Sequence, residues 1–168
     1  MAQAPCVLLT LLLPFQISFY RRMGYGFAGK LYEYHLPTAV LPKPDGEARR
    51  HLRLLQPEDF DRVLACHSRF AAQNHGMVEK FEEEVRAART DIQVRRIGYC
   101  ADDGTLRGYV AYRFESASDT NYTRNRLSVE ELVYDDGVVL RALLGALKLQ
   151  EDLAQTVLLR TGEEDFHH

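Results

Sequence analysis

The pattern of hydrophobic and polar positions along this chain predicts a mixture of helices and strands. The apolar run at 6–13 has the length of a buried strand, and Pro14 stops it. About two turns of helix fit over 16–23, after which Gly24 and Gly26 suit a helix exit that requires positive φ. The first part of the chain therefore predicts a strand, a short helix and a glycine turn.

The rest of the chain continues this mixture. The Asp-Asp-Gly-Thr sequence at 102–105 predicts a hairpin turn, and the apolar stripe from Leu140 to Leu153 predicts a long helix. The predicted order is a strand at 31–36, a Pro-rich stretch at 37–46, a strand at 51–55, helices at 57–74 and 77–89, strands at 93–100, 107–114 and 127–134, a helix at 137–154 and a strand at 155–160.

Composition and charge exclude several classes of protein. The chain has 168 residues and a formal net charge of −3, which gives no reason to expect a nucleic-acid or anionic-membrane surface. Cys6, Cys66 and Cys100 show neither metal-ligand spacing nor a disulfide framework, so a cytoplasmic protein is expected. His67 is interpreted as a core histidine rather than a base. The glutamates at 82–84 are interpreted as a solvated face, and no metal site is predicted.

The uncharged start of the chain has two interpretations, an export signal and a core strand. Residues 1–5 contain no Lys or Arg, so the charged region of a signal peptide is missing. The basic pair Arg21-Arg22 follows the apolar run instead of preceding it. The run is also too short, and too broken by Pro14, to span a bilayer. A core strand is therefore the prediction, with no membrane partner.

One short segment carries a family resemblance. Residues 19–26 read Phe-Tyr-Arg-Arg-Met-Gly-Tyr-Gly, which resembles the "YRRxGYG" segment of Eis-like proteins, a branch of the GNAT N-acetyltransferases. The resemblance implies that Tyr20 is the general acid that reprotonates the thiolate of coenzyme A. A phenol is protonated at pH 7 and can donate to a thiolate. From the residue alone, the alternative is that Tyr20 simply packs at a helix end.

The resemblance also implies a cofactor position and a substrate class. It places the turn at Phe15 and Gln16 against acetyl-CoA, which donates the acetyl group to a primary amine on a small molecule or a protein. From the residue alone, Gln16 is equally well a helix N-terminal residue that faces water. The family's base, a chain-terminal carboxylate of a third domain, has no counterpart before His168.

The order of the predicted elements resembles an α/β GNAT fold, a mixed, mainly antiparallel central sheet flanked by helices. By this resemblance, residues 1–41 are the strand-helix-strand end of a first GNAT unit. Residues 42–46 are a Pro-rich linker, and residues 47–168 are a second GNAT-like unit, incomplete at its C-terminus. The strand at 155–160 would then leave an apolar sheet edge. We expect the N-terminal segment to cover it, either within one chain or in a swapped homo-oligomer.

The second unit departs from the family at its cofactor loop. GNAT enzymes bind the pyrophosphate at a strand-to-helix junction with the pattern R/Q-x-x-G-x-G/A, where backbone N–H groups meet the anion. The corresponding junction at 133–141 has one glycine and places Asp135 and Asp136 where the pyrophosphate would lie. Two functions stay open: an N-acetyltransferase, inactive as this isolated chain, and a non-catalytic GNAT-like structural or oligomerising module.

Overall fold

The computed structural model describes residues 10–74, 77, 80–116 and 125–162. Within them, short 3₁₀ turns lie at Thr38–Val40 and Pro57–Asp59. The helices are α1 (Ile17–Arg22), α2 (Gly46–His51), α3 (Phe60–Gln73), α4 (Glu82–Thr90) and α5 (Gly137–Lys148). The strands are β1 (Tyr32–Pro37), β2 (Leu52–Leu54), β3 (Arg95–Cys100), β4 (Leu106–Ser116), β5 (Asn125–Tyr134) and β6 (Ala154–Thr161).

The strands form one sheet in the order β1-β6-β5-β4-β3-β2. The pairs β2–β3, β3–β4 and β4–β5 are antiparallel, and β5–β6 is parallel. A parallel pair cannot be closed by a tight hairpin, and α5 supplies the crossover between β5 and β6. The predicted fold class, a mixed and mainly antiparallel sheet flanked by helices, is confirmed.

Helices α3 and α5 cover the sheet, and alternation along β4 decides which side chains meet each helix. Tyr109 and Ala111 belong to a buried cluster that includes Val63 and Cys66 of α3. Gly108 points to α5, where an added Cβ would lie 2.5 Å from a methyl carbon of Val139. Of the apolar stripe predicted for α5, Leu143 and Leu147 are fully buried, whereas Leu153 lies beyond the helix and is exposed.

The chain divides into two compact units. The described residues up to Tyr32, with Thr161 and Gly162, belong to the first, and Glu33–Arg160 form the second. The first contains α1 and the extended segments on either side of it. The second contains nearly all of the sheet with α2 to α5. The assignment of 1–41 and 47–168 to two GNAT units stays a prediction.

The Pro-rich stretch packs against the second unit. Thr38 is 1% exposed and donates from its hydroxyl to the carbonyl oxygen of Ala154, at 2.8 Å. Lys148, at the end of α5, donates from Nζ to the carbonyl oxygen of Ala39, at 2.7 Å. Pro44 is buried. Buried polar groups joined in this way hold the stretch against α5 and β6.

Strand β1 lies beside β6 in the same sheet. Of the two arrangements expected for the apolar edge at 155–160, this is the one within a single chain. Pairing of the β6 backbone removes an edge that would otherwise be open to association.

Three predicted elements differ from the structure. The predicted strand at 51–55 is shortened to Leu52–Leu54 because Asp45 caps a preceding helix, accepting a hydrogen bond from the Ala48 amide at 2.6 Å. The predicted helix at 137–154 ends at Lys148, and Leu153 is 54% exposed. The predicted helix at 77–89 begins only at Glu82.

The start of the chain also differs from its prediction. Residues 6–9 of the predicted strand lie outside the described residues, and residues 10–13 form no strand. Leu13 is 83% exposed, so this segment is not a core strand where it is described. Gly24 has the expected positive φ of 91°, whereas Gly26 does not.

The contact between Pro44 and α5 generates a stability prediction. A Cβ at Gly145 would lie 2.8 Å from the Pro44 backbone nitrogen. We expect Gly145→Ala to lower the free energy of unfolding by about 1–3 kcal/mol, the usual cost of overpacking, despite the higher helix propensity of Ala. Chemical denaturation measures the change.

Gly137→Ala is the matched control in the same helix, because a Cβ there meets open space. It should be neutral or slightly stabilising. Equal stability of Gly145→Ala and wild type would show that the Pro-rich stretch moves away from the added methyl group at little cost and is not held by α5.

Candidate functional site

Helix α1 carries the tyrosine singled out by the sequence. The helix starts after Gln16, whose backbone is extended, and Arg21 and Arg22 lie in its last turn, where positive charge is favourable. None of its residues is fully buried. Tyr20 is partly buried, so its side chain is supported by neighbours and still reaches solvent.

Aromatic rings surround Tyr20 on several sides. Its ring meets those of Phe15, Phe19 and Tyr25 edge-to-face, at centroid distances of 5.4, 5.3 and 5.8 Å. Edge-to-face contacts of this kind orient a ring. The hydroxyl of Tyr25 shares a hydrogen bond with Thr10 Oγ1 at 3.0 Å. Within the described residues the Tyr20 hydroxyl is in no hydrogen bond, so its proton is available to a ligand.

A cleft of about 180 Å³ lies beside Tyr20 in this first unit. Its lining is mostly apolar and includes Leu13, Ile17 and Phe27, together with the two tyrosines, Tyr20 and Tyr25. The size fits a small group such as an acyl thioester end. An apolar wall with one free phenol can hold such a group and donate a proton to it.

The three sequence-predicted site residues lie together, but in different environments. The Phe15 ring contacts Tyr20 and is 77% exposed. Gln16 contributes its backbone carbonyl, which accepts from the Phe19 amide at 3.1 Å, while its exposed side chain makes no capping hydrogen bond. Tyr20 alone of the three lines the cleft. The catalytic role of Tyr20 and the cofactor contacts of Phe15 and Gln16 stay predictions.

The strand-to-helix junction of the second unit is closed by Asp136. Its Oδ1 accepts hydrogen bonds from the amides of Val138 at 2.9 Å and Val139 at 3.0 Å. Its other oxygen accepts from Arg107 Nη2 at 2.7 Å, and Arg107 also pairs with Asp135 at 3.6 Å. The amides at the start of α5 are thus already satisfied by a carboxylate of the protein itself.

The same contacts shift the ionisation of this carboxyl group. Hydrogen bonding from the Val139 amide lowers the pKa of Asp136, and Arg107 adds to the shift. The side chain is therefore charged over the whole physiological range. A pyrophosphate approaching the junction would meet a carboxylate instead of free N–H groups.

A second polar cluster, which sequence reasoning missed, lies where β5 and β6 part. Their pairing covers 125–129 of β5, and a bulge leaves Glu130 unpaired with β4. The next residue, Glu131, accepts from the Tyr109 hydroxyl at 2.7 Å and pairs with Lys80. Burial raises the pKa of Tyr109 well above its usual range, and the Glu131 carboxylate raises it further.

Both oxygens of Glu131 are engaged, so this cluster holds β4, β5 and the chain before α4 together. No local signal could have found it, because Lys80 and Glu131 lie 51 positions apart in the sequence. Lys80 stands between Glu79 and Phe81 in the sequence, and Tyr109 belongs to the apolar stretch of β4. Their polar ends meet only after the sheet has formed.

Other site classes receive no support from the described residues. They contain no group of three or more His, Cys, Asp and Glu side chains that could hold a metal ion. His67 is 6% exposed, as expected of a core histidine. Cys66 and Cys100 are free thiols, and Cys6 lies outside the described residues. Among the described helices, each is too short or too polar to cross a lipid bilayer.

Comparison with known families identifies the class of protein. A family model described as "Acetyltransferase (GNAT) domain" matches residues 73–168, more than half of the chain. The chain therefore belongs to the GNAT acetyltransferase family. No curated protein matches it by sequence.

Solved structures agree with this family. The chain is 25% identical to a GCN5-related N-acetyltransferase from Kribbella flavida over 94% of its length, with a TM-score of 0.68. A second, from Anabaena variabilis, is 14% identical over 92% of the chain, with a TM-score of 0.75. Eis1 from Mycobacterium abscessus is 24% identical over 87% of the chain, with a TM-score of 0.63. The chain spans only 37%, 39% and 37% of the lengths of these three proteins.

The cap on α5 generates a prediction about stability and pH. We expect Asp136→Ala to lower the free energy of unfolding by about 1 kcal/mol at pH 7, the usual cost of losing an N-cap. Because the pKa of Asp136 is lowered in the folded state, this stabilisation is complete above the unfolded pKa, about 4. It is lost as the pH falls through the lower, folded value.

Urea denaturation of both proteins between pH 7 and pH 3 measures the effect. Asp135→Ala is the matched control, because Asp135 pairs with Arg107 and makes no capping bond. It should cost about 0.5 kcal/mol or less, as for an exposed ion pair. Equal effects of the two substitutions would contradict the role of Asp136 as the cap.

Proposed function

We propose that this chain is part of an N-acetyltransferase that moves the acetyl group of acetyl-CoA to a primary amine. Membership of the GNAT family supports the reaction type. The observation that carries the proposal is the free hydroxyl of Tyr20, held by aromatic rings at the wall of an apolar cleft. No feature of the described residues indicates whether the amine belongs to a small molecule or to a protein.

In this proposal Tyr20 acts at the last step of the transfer. Acetyl-CoA would supply the thioester: the amine would attack its carbonyl carbon and release one proton to solvent, and the coenzyme A sulfur would leave as a thiolate. The Tyr20 hydroxyl gives its proton to that sulfur, and the phenolate regains a proton from solvent. Phe15 and Gln16, at the turn before α1, would hold the end of the cofactor. The apolar cleft excludes water from the thioester, which limits its hydrolysis.

The unit formed by Glu33–Arg160 has a different role in this proposal: it does not bind the cofactor in the usual GNAT manner. Asp136 occupies the amides of Val138 and Val139, and its charge opposes a pyrophosphate. Arg107 offsets part of that charge but is itself engaged by both aspartates. This observation also favours a second candidate function, a non-catalytic GNAT-like module that supports an assembly.

We also propose that the chain is part of a larger, Eis-like protein. The segment at 19–26 and the likeness to Eis1 support an Eis-like protein in which 1–41 end a first GNAT unit and 47–168 form most of a second. The short share of each relative that the chain spans supports a larger polypeptide. A cytoplasmic location and a homo-oligomeric state complete the proposal. Reading the coding sequence upstream of Met1 for an in-frame R-x-x-G-x-G/A would test it.

The closed junction leads to a binding prediction. We expect residues 47–168 not to bind acetyl-CoA, so that isothermal titration of the 168-residue chain shows no saturable heat from them, since the anion site of the second unit is filled by Asp136. Saturable binding in the micromolar range would contradict this. Asp136→Asn keeps a capping oxygen and removes the charge, so a gain of binding in that variant alone would identify the carboxylate as the excluding group.

The free phenol leads to a kinetic prediction. In an intact homologue that carries this segment, Tyr20→Phe should lower kcat by about 10² or more, the scale of a lost general acid, with the fold intact. Steady-state rates of thiol release measure it. Tyr99→Phe, a tyrosine of β3 that stacks on His51, is the matched control and should keep the wild-type kcat. An unchanged kcat in Tyr20→Phe would leave Tyr20 as a packing residue.

A further inference from the structure

The chain reverses direction immediately after α1 in a hydrogen-bonded helix cap. The Gly24 amide donates to the carbonyl oxygen of Arg21, and the Tyr25 amide donates to that of Tyr20, both at 3.1 Å. This pair of bonds is the Schellman motif, which requires a left-handed residue at the position of Gly24. Gly24 has φ of 91°, a conformation that other residues adopt only with strain.

The cap places one particular side chain against Tyr20. In a Schellman motif the residue after the left-handed glycine frequently packs on the residue that accepts its amide hydrogen bond. Here those residues are Tyr25 and Tyr20, and their rings meet edge-to-face at 5.8 Å with an interplanar angle of 83°. The contact is thus a direct consequence of the backbone turn.

Tyr25 is also fixed at its far end. Its hydroxyl shares a 3.0 Å hydrogen bond with Oγ1 of Thr10, a residue that also lines the cleft. The other rings around Tyr20 are less restrained: Phe15 is 77% exposed and Phe19 is 42% exposed. Tyr25 is partly buried and is held by both its backbone amide and its hydroxyl.

We propose that Tyr25 is a positioning residue for Tyr20: it fixes the orientation of the Tyr20 ring so that the phenol points into the cleft. This inference rests on the proposed function, in which Tyr20 is the proton donor. In this proposal Tyr25 has no proton-transfer role, and its hydroxyl is hydrogen-bonded to Thr10. Gly24 is required only because its left-handed backbone brings Tyr25 back onto α1.

The first test measures the geometry of the Tyr20 ring in the 168-residue chain and does not depend on enzyme activity. Tyrosine side-chain resonances are compared by NMR in wild type, Tyr25→Leu, Tyr25→Phe and Gly24→Ala. The contribution of Tyr25 to the ring-current shift of Tyr20 should be lost in Tyr25→Leu and in Gly24→Ala, and retained in Tyr25→Phe. If Tyr25 orients the Tyr20 ring, the nuclear Overhauser effects between Tyr20 and Phe15, which also contacts it, should change in the same two variants. Gly46→Ala, a substitution into open space at the start of α2, controls for general effects. Unchanged Tyr20 resonances in Tyr25→Leu would overturn the inference.

The second test measures whether Tyr25 and Tyr20 act together in catalysis, in an intact homologue that carries this segment. Tyr25→Leu should lower kcat by about 10- to 100-fold, up to the scale of a misplaced catalytic group. KM for acetyl-CoA should change by less than about twofold, and Tyr25→Phe should retain most of the rate. In a Tyr20→Phe background, Tyr25→Leu should cause no further loss. Additive losses would overturn the inference and leave the proposed function standing. An unaffected kcat in Tyr20→Phe would overturn both, whatever the ring geometry.

Discussion

The fold of Glu33–Arg160 depends on one constraint: β5 and β6 run parallel, so the chain between them must cross the sheet. Helix α5 makes that crossing. Asp136 satisfies the amides at its start, and the buried Lys148 at its end donates to Ala39 and pairs with Glu151. Both ends of the helix are thereby held, and its apolar face is kept on the sheet.

Helix α5 also contacts the Pro-rich stretch before α2 and holds it in place. Gly145 lets Pro44 approach α5 closely, and Thr38 bonds to the carbonyl of Ala154 at the start of β6. A stretch rich in proline could have been an independent linker, but its buried contacts make it part of the second unit. Strand β1 then completes the sheet beside β6, which removes an apolar edge.

These structural needs bear on the proposed chemistry. The amides at the start of α5, which the family resemblance would assign to a pyrophosphate, are used here to cap the helix, and the negative charge of Asp136 lies beside them. The proton-donor chemistry is proposed instead for the first unit, where Tyr20 keeps a free hydroxyl. The proposal therefore separates a unit whose helix N-terminus is satisfied internally from a segment that presents an available phenol.

Local patterns in the sequence determined much of this protein. The turn at Gly24 and the hairpin at Gly104 act over a few residues, and each formed where it was predicted. Helix α5 also begins where its apolar stripe predicted it, but it ends at Lys148. The order of the predicted strands and helices is also largely correct. The predicted boundary of the strand at 51–55 was wrong because Asp45 caps a helix, α2, immediately before β2. The alternation of apolar residues did not indicate that helix.

Only the tertiary structure decided which distant residues meet. Glu131 joins Lys80 and Tyr109 because a bulge in β5 turns it toward them. The burial of Lys148 could not be foreseen, since its partner, the Ala39 carbonyl, lies 109 positions away. Such pairs form when sheet and helices pack, and the polar groups they bury must then find whichever partners the fold has brought near.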